Sequence, residues 1–304
     1  MIDLSRLQAP DVLEEVNFET ILAERKATLI SYYPVEEQAA IAAELALESD
    51  PTNKMLQENA YREVLLRQRL NEVGVANMLA HSTGANLDGL AAFYGVKRLV
   101  LNPGDLTARP PIPATYESDD DLRYRTQMAL EGFSTAGPEG AYRFHTLSAS
   151  GNVRDVAIDS PKPGQVRLAV LSRLGDGVPA AELLATVDQA LGHKDVRPLT
   201  DQVLSVAAEI VPYRVVARLE MLDGPSRAPV LAASLKAVNA YVHDTNLANP
   251  RLGVDVTLSA LYAALHQPGV KRVVLIEPSA DVVCAANQAG YCTAIDVTLA
   301  EANG

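Results

Sequence analysis

The longest helical pattern in the chain is DPTNKMLQENAYREVLLRQRLNEV, which spans residues 50–73. Asp50 is a residue type that accepts hydrogen bonds from the first free amides of a helix, and Pro51 suits the first helical turn. Apolar residues then recur at helical spacing as far as Leu79. The stretch therefore predicts a helix over about residues 51–80, the main element of the N-terminal part.

This predicted helix is apolar on two sides. On a wheel of about 100° per residue, one half of the circumference carries Leu56, Ala60, Val64, Leu66, Leu70 and Val73. The other side carries Tyr61, Leu65 and Leu79. A helix that packs on a single core needs only one apolar stripe. We therefore consider two interpretations, a central helix buried in its own domain and a helix shared with another chain.

Shorter helices are predicted on either side of it. Residues 11–33 have helical spacing, with Asp11 as the cap, and Pro34 ends the pattern because the residue before a proline avoids helical angles. A second helix is predicted at 36–48 and a third, after a turn at Gly84, at Leu87–Tyr94. Together these helices define an N-terminal helical region over residues 1–101.

A proline-rich stretch follows at residues 102–118. It contains Pro103, Pro110, Pro111 and Pro113. Prolines fix backbone angles and remove hydrogen-bond donors, so the stretch is interpreted as a semi-rigid linker and as a domain boundary.

The remainder alternates helical and strand patterns. Helices are predicted at 119–131, 138–149, 179–191, 228–245 and 257–266, and strands at 153–158, 166–171, 202–210, 213–222, 270–277 and 293–299. Gly151 and Gly269 each follow a helix and precede a Val-rich strand, which suggests an internal repeat. The predicted fold class is α+β, with one small unit at 119–211 and a second at 212–304.

Composition narrows the class of protein. The chain has 304 residues, with 38 acidic and 26 basic side chains and a net charge of −12. Binding to nucleic acid needs clustered Lys and Arg, which this balance does not favour. No stretch approaches the roughly 20 apolar residues of a membrane helix, and the first residues do not resemble a signal peptide. We expect a soluble protein made in the cytoplasm, without nucleic-acid or membrane partners.

Residues with catalytic or metal-binding chemistry do not cluster in the sequence. The five histidines show no spacing suited to a metal, and Asp119-Asp120-Asp121 is interpreted as the acidic start of a helix. Ser134 follows a helix rather than a strand, unlike a nucleophile turn. Cys284 and Cys292 could form a local disulfide, but cytoplasmic synthesis favours two reduced thiols. We predict no catalytic residue, no cofactor and no metal.

Several motifs resemble a known family when they are taken in order. Residues 67–71 read RQRLN and residues 84–98 read GANLDGLAAFYGVKR; ESDDDLRYR follows at 117–125, VRDV at 153–156 and LSALYAALH at 258–266. Together with the start of the chain they resemble the baseplate J proteins of temperate phages with contractile tails. The resemblance extends over nearly the whole chain.

The resemblance implies a structural role in the phage tail. Such proteins build the baseplate wedge, in which two copies join one partner wedge protein through a helical bundle, and their C-terminal domains form an inner ring around the hub. A further baseplate protein links the wedge to the sheath. The expected location is the baseplate of the virion, after assembly in the host cytoplasm. Related tails act as bacteriocins, and the sequence does not separate the two.

Applied to this sequence, the resemblance assigns the helix at 51–80 to the bundle and residues 120–299 to contacts between wedges. The predicted partner interface consists of Leu56, Tyr61, Val64, Leu65, Leu70 and Val73. Residues 102–118 or their ends are expected to act as the hinge when the baseplate opens. The alternative function is a tail-associated cell-wall hydrolase, which needs a pair of placed carboxylates.

Overall fold

The computed structural model describes residues 4, 7–8, 16–134, 137–193, 196–198, 200–224, 226–244, 246–247, 249 and 251–300. The chain divides into two compact units, residues 1–90 and residues 91–304. The first contains helices and the second contains helices packed on small sheets, which confirms the α+β class. No helix within the described ranges is long and apolar enough to cross a membrane.

The first unit contains the helices α1 (Phe18–Ser31), α2 (Val35–Leu45) and α3 (Pro51–Ala76). The predicted cap Asp11 lies outside the described residues, and α1 instead starts at Asn17, whose side chain accepts from the amides of Glu19 and Thr20. The predicted start of α3 is confirmed, because the Asp50 side chain accepts from the Asn53 amide at 2.7 Å. A further helix, α4 (Gly84–Phe93), begins in the first unit and ends in the second.

The first sheet of the second unit is three-stranded. Its elements are α5 (Asp119–Met128), α6 (Glu139–Ala149), β3 (Val153–Lys162), β4 (Gln165–Ser172), α7 (Ala181–Leu191) and β5 (Gln202–Ala207). β4 is central, antiparallel to β3 and parallel to β5. Branched residues of β3 and β4, such as Val156 and Val170, are fully buried beneath the helices.

The second sheet is separated from the first by a single residue of the chain. Its elements are β6 (Glu209–Met221), α8 (Arg227–Val242), α9 (Leu258–Leu265), β7 (Val270–Glu277) and β8 (Gln288–Leu299). β6 is central, antiparallel to β7 and parallel to β8. β5 ends at Ala207 and β6 begins at Glu209, so one strand runs into the next across Ala208. The boundary between the two α+β units, expected between residues 211 and 212, stays a prediction.

The two sheets share a pairing pattern but differ in chain order. In each sheet, the Val-rich strand that follows a helix and a glycine lies at the edge and pairs antiparallel with the central strand. These strands are β3, which begins at Val153, and β7, which begins at Val270. β3 precedes its central strand, whereas β7 follows its own. The internal repeat thus stays a prediction. The antiparallel pairing of the edge strands supports it, but the order of the strands along the chain does not.

The proline-rich stretch differs from the predicted linker. Val100–Asn102 (β1) and Thr115–Tyr116 (β2) pair antiparallel, and Asp105 bridges to Ile112, so residues 100–116 fold back on themselves. The Asp105 carboxylate accepts from the Thr107 hydroxyl at 2.6 Å and from the amides of Thr107 and Ala108, and these hydrogen bonds hold the pKa of the carboxyl below its usual range. The division between the units lies at residues 90 and 91 instead. The hinge role of this stretch stays a prediction.

A buried ion pair anchors this folded-back stretch to α5. The guanidinium of Arg125 and the carboxylate of Glu117, each almost fully buried, form two hydrogen bonds, at 3.0 and 2.5 Å. Glu117 also accepts from the Leu99 amide at 2.9 Å, and Arg125 donates to the Lys97 carbonyl at 2.6 Å. The motif at 117–125 therefore connects the segment just before β1 to α5.

The three aspartates at the start of α5 each have a different partner. Ser118, not an aspartate, caps the helix by accepting from the Asp121 amide. Asp119 pairs with Arg98 and Asp120 with Arg123. Asp121 is buried, pairs with Arg173 and accepts from the Leu247 amide at 2.7 Å. The run is therefore the acidic first turn of α5, as predicted, and each carboxylate also forms an ion pair.

The motif at 153–156 joins the first sheet to the loop between α8 and α9. One oxygen of buried Asp155 accepts from the amides of Arg251 and Leu252, at 2.7 and 3.0 Å, and the other accepts from Arg143 at 3.0 Å. Arg154 donates to the carbonyl of Asn249 at 2.8 Å. These charged side chains fix a loop whose backbone polar groups would otherwise lose their partners.

Both cysteines are free, buried thiols. Burial raises the pKa of Cys284 and of Cys292, and the nearby carboxylate of Asp255 raises the pKa of Cys284 further. A raised pKa lowers the reactive thiolate fraction at a given pH. We expect both thiols to react slowly with Ellman's reagent at pH 8 in the native chain and rapidly in guanidinium. A Glu58→Cys variant, with an exposed thiol, is the positive control; rapid labelling of the unmodified native chain would contradict this burial.

Candidate partner interface on the third helix

The described part of α3 exposes an unusual number of large apolar side chains for a helix of a small unit. The exposed fractions are 66% for Met55, 57% for Tyr61, 47% for Leu65, 65% for Leu66, 57% for Leu70 and 46% for Val73. Single exposed apolar residues are common on protein surfaces, but a continuous set along one helix indicates an interaction surface.

The buried face of α3 packs on α1. Ala60 is fully buried against Ile21 and Leu22, with Leu56 and Val64 packed beside them. The structure therefore separates the six predicted interface residues into two groups. Leu56 and Val64 lie partly buried inside this chain, whereas Tyr61, Leu65, Leu70 and Val73 are exposed.

The exposed apolar residues form two stripes. At about 100° per residue, Met55, Leu66, Leu70 and Val73 lie within about 60° of one another and constitute the long stripe. Tyr61 and Leu65 constitute the short stripe, about 120° away from it. The face towards α1 lies about 120° from each stripe. α3 therefore presents three apolar faces, of which the described part of the chain covers one.

Charged residues separate the two stripes. Arg62 pairs with Glu58 four residues earlier, and Arg69 with Glu72 three residues later. These pairs are exposed and contribute little to stability. Glu58, Arg62 and Arg69 lie between the two stripes and form a polar ridge there, whereas Glu72 lies in line with the short stripe. A helix with this alternation can contact two different neighbours, one on each side of the ridge.

An ion network fixes α3 to α1 close to these stripes. The carboxylate of Glu63 accepts from Arg25 of α1 and from Arg67 at 2.6 Å. The hydrogen bond from Arg25, followed by that from Arg67, holds the pKa of Glu63 below its usual range. Asn53, fully buried, donates to the Leu47 carbonyl at 3.0 Å and thereby ties the start of α3 to the end of the preceding turn. The exposed stripes are thus carried on a well-anchored helix.

Two exposed residues of the long stripe, Met55 and Leu66, were not among the predicted interface residues. The available signal was spacing, because Met55 and Leu66 are eleven residues apart, which is close to three helical turns, and Leu70 follows one turn later. Helical spacing places Leu66 on the apolar side of the helix but does not separate it from the residues that face α1. That separation depends on the packing of α1, which helical spacing does not reveal.

The described residues offer little that resembles a catalytic or metal site. Among them, no group of three or more His, Cys, Asp and Glu could hold a metal ion. A cavity of about 450 Å³ lies beside α7 and is lined by Ser150, Ser172, Leu174 and Leu183 among others. A second, of about 260 Å³, lies beside Tyr241 and Arg251, where Asp244 and Asp255 are engaged with neighbouring polar groups of the chain.

Comparison with known proteins agrees with the motifs. The family model of the Baseplate J-like N-terminal domain matches residues 48–105, and that of the Baseplate J-like central domain matches residues 134–207. A chain of the anti-feeding prophage baseplate, solved by cryo-EM, is similar at a TM-score of 0.42 and 14% identity, over 60% of this chain and 44% of that chain. That likeness is too low to define a shared fold.

Sequence identity gives the clearer result. Baseplate protein J of Escherichia phage P2 is 50% identical over 293 residues, which cover 96% of this chain and 96% of that protein. The first family model contains the whole of α3, and the second contains all three strands of the first sheet. With half of its residues identical along almost its whole length, this chain belongs to the baseplate protein J family.

Proposed function

We propose that the chain is a structural component of the baseplate wedge of a contractile tail and that α3 is its assembly helix. The identity to a baseplate protein along almost the whole chain supports the role. The observation that carries the assignment of α3 is its two exposed apolar stripes, which a solvated helix would not retain without a partner. Packed helices from other chains would cover them in a helical bundle.

The finer arrangement follows the family resemblance. In this proposal α3 joins a partner wedge protein and a second copy of this chain, while residues 120–299 meet neighbouring wedges and form the inner ring around the hub. The sheath-linking baseplate protein is a further partner, and assembly takes place in the host cytoplasm. Buried contacts within the second unit support the ring role, because Asp121 of α5 and Asp155 of β3 each accept from backbone amides of the loop between α8 and α9.

The proposal includes no enzymatic role. A cell-wall hydrolase would need a pair of carboxylates free to exchange protons across a substrate. The buried carboxylates Glu117, Asp121 and Asp155 instead bind arginines and backbone amides, as expected of structural groups. Their arrangement favours assembly over hydrolysis.

Incorporation into particles tests the role directly. Cells that produce tails are made to express the chain with a C-terminal tag, and purified tails are labelled with gold-coupled antibody. We expect gold at the baseplate end of the tail. Complete, contractile tails that lack the chain would contradict the structural role, and cell-wall clearing by the purified chain would favour the hydrolase.

A further inference from the structure

We propose that the loop between α8 and α9 is a strap that couples the two three-stranded sheets of the second unit into a single cooperative body, and that Asp155 and Arg251 fasten it. The strap consists of the described residues of 244–253, which are Asp244, Asn246, Leu247, Asn249, Arg251, Leu252 and Gly253. The inference does not depend on the proposed function. It concerns how a displacement of one sheet reaches the other.

The strap leaves the second sheet and is buried against the first. Both α8 and α9 pack on the second sheet, yet Leu247, which lies between them in the chain, belongs to the buried core of the first sheet. Leu252 belongs to a smaller buried cluster with Leu171 of β4 and Ala289 of β8. The strap therefore bridges the cores of the two sheets, in addition to the direct chain connection at Ala208.

Three buried charged side chains on the side of the first sheet bind the strap. They are Asp121 of α5 and Arg154 and Asp155 of β3, and each is at most 5% exposed. All three bind backbone groups of the strap. One oxygen of Asp155 binds two consecutive amides, at 2.7 and 3.0 Å. Hydrogen bonds to a charged acceptor are stronger than neutral ones, so Asp155 is the main fastening on this side.

Arg251 connects this fastening to the second sheet. Asp155 binds its backbone amide, whereas its guanidinium donates to the carbonyls of the last two residues of α8, at 2.9 and 2.7 Å. A cationic side chain is favourable at the negative end of a helix. Two residues later, Gly253 donates to the Gln288 carbonyl at the start of β8, at 2.9 Å. Arg251 thus holds the first sheet through its main chain and the second through its side chain.

Two sheets joined in this way are expected to unfold together. Opening either sheet alone would break the buried contacts of the strap, which raises the free energy of such local opening towards that of global unfolding. A displacement of one sheet would likewise be passed to the other. The contacts that the proposed function assigns to residues 120–299 would then be carried by one body.

Hydrogen exchange of the full-length chain, followed by mass spectrometry, measures this coupling. Val170→Ala weakens the core of the first sheet, because Val170 of β4 is fully buried there. In the otherwise unchanged chain, we expect the slowest amides to exchange roughly tenfold faster in β4 and by a similar factor in β6 of the second sheet. Unchanged exchange in β6 would mean that the sheets open independently and overturns the proposal.

The same comparison with the strap released tests its part in the coupling. In Asp155→Ala chains, the amides of Arg251 and Leu252 should exchange about 10- to 100-fold faster, since they lose a charged acceptor. Adding Val170→Ala to this variant should accelerate exchange in β4, with less than about a twofold change in β6. Acceleration of both sheets in this background overturns the proposal.

A second variant releases the other side of the strap without removing a buried charge. Arg251→Met keeps Asp155 and the amides that it binds but removes the hydrogen bonds to the end of α8. We expect those amides to stay protected while the effect of Val170→Ala on β6 is lost; an undiminished effect on β6 contradicts the role of Arg251. Asp159→Ala is the matched control, because Asp159 lies on β3 in an exposed ion pair, and it should leave the shared response of the two sheets intact.

Discussion

The double substitution Leu66→Asp and Leu70→Asp is expected to abolish capture of other baseplate proteins by the purified chain. Both leucines belong to the long stripe of α3 and are more than half exposed, so the change creates no cavity within the chain. Burial of a leucine side chain contributes about 1.5–3 kcal/mol, and a buried aspartate adds a desolvation cost. We expect affinity to fall by roughly 100- to 1,000-fold or more.

The measurement is recovery of partner proteins from cells that produce tails, with the variant and the wild type expressed at equal levels. Leu106→Asp is the matched control, because Leu106 is 82% exposed and lies in the folded-back stretch rather than on α3. Circular dichroism should show equal helix content for all three chains. Normal recovery by the double variant would remove α3 from the proposed assembly surface.

The second large effect concerns the buried pair of Arg125 and Glu117. Arg125→Met leaves the carboxylate of Glu117 buried without its main partner, and such a loss costs about 3–5 kcal/mol of unfolding free energy. The destabilisation should extend to the segment just before β1, because Arg125 also donates to the Lys97 carbonyl. Thermal or denaturant unfolding of the purified chain measures the change.

Two variants make this result specific. Arg125→Met combined with Glu117→Gln removes the uncompensated charge, while the side-chain amide introduced at position 117 can still accept from the Leu99 backbone N–H. The double variant should therefore be more stable than Arg125→Met alone. Arg167→Ala breaks an exposed pair with Asp159 on the first sheet and should cost no more than about 1 kcal/mol. Equal losses of unfolding free energy for Arg125→Met and Arg167→Ala would show that the buried pair stabilises the chain no more than an exposed pair does.

Much of the fold could be predicted from the sequence because its signals are local. Asp50 and Pro51 mark the start of α3, and β7 occupies the predicted residues 270–277. The longer-range features could not be predicted in this way. The folded-back stretch at 100–116 depends on the pairing of Val100 with Tyr116, which proline content does not indicate.

At the candidate interface, too, local features could be predicted from the sequence, whereas features that depend on distant residues could not. Helical spacing identified α3 as apolar on more than one side, and the structure shows apolar side chains on three faces of it. Spacing did not show that α1 covers Leu56 and Val64, because that depends on where α1 packs. The partners of Asp121 and Asp155 were likewise hidden, since Leu247 lies 126 residues and Leu252 97 residues further along the chain.

The most direct test of the assembly role is the native mass of what a tagged, full-length chain recovers from cells producing tails. We predict a complex that contains two copies of this chain and one copy of a partner wedge protein. Recovery of the chain alone, under conditions in which complete tails assemble, would contradict the assembly role.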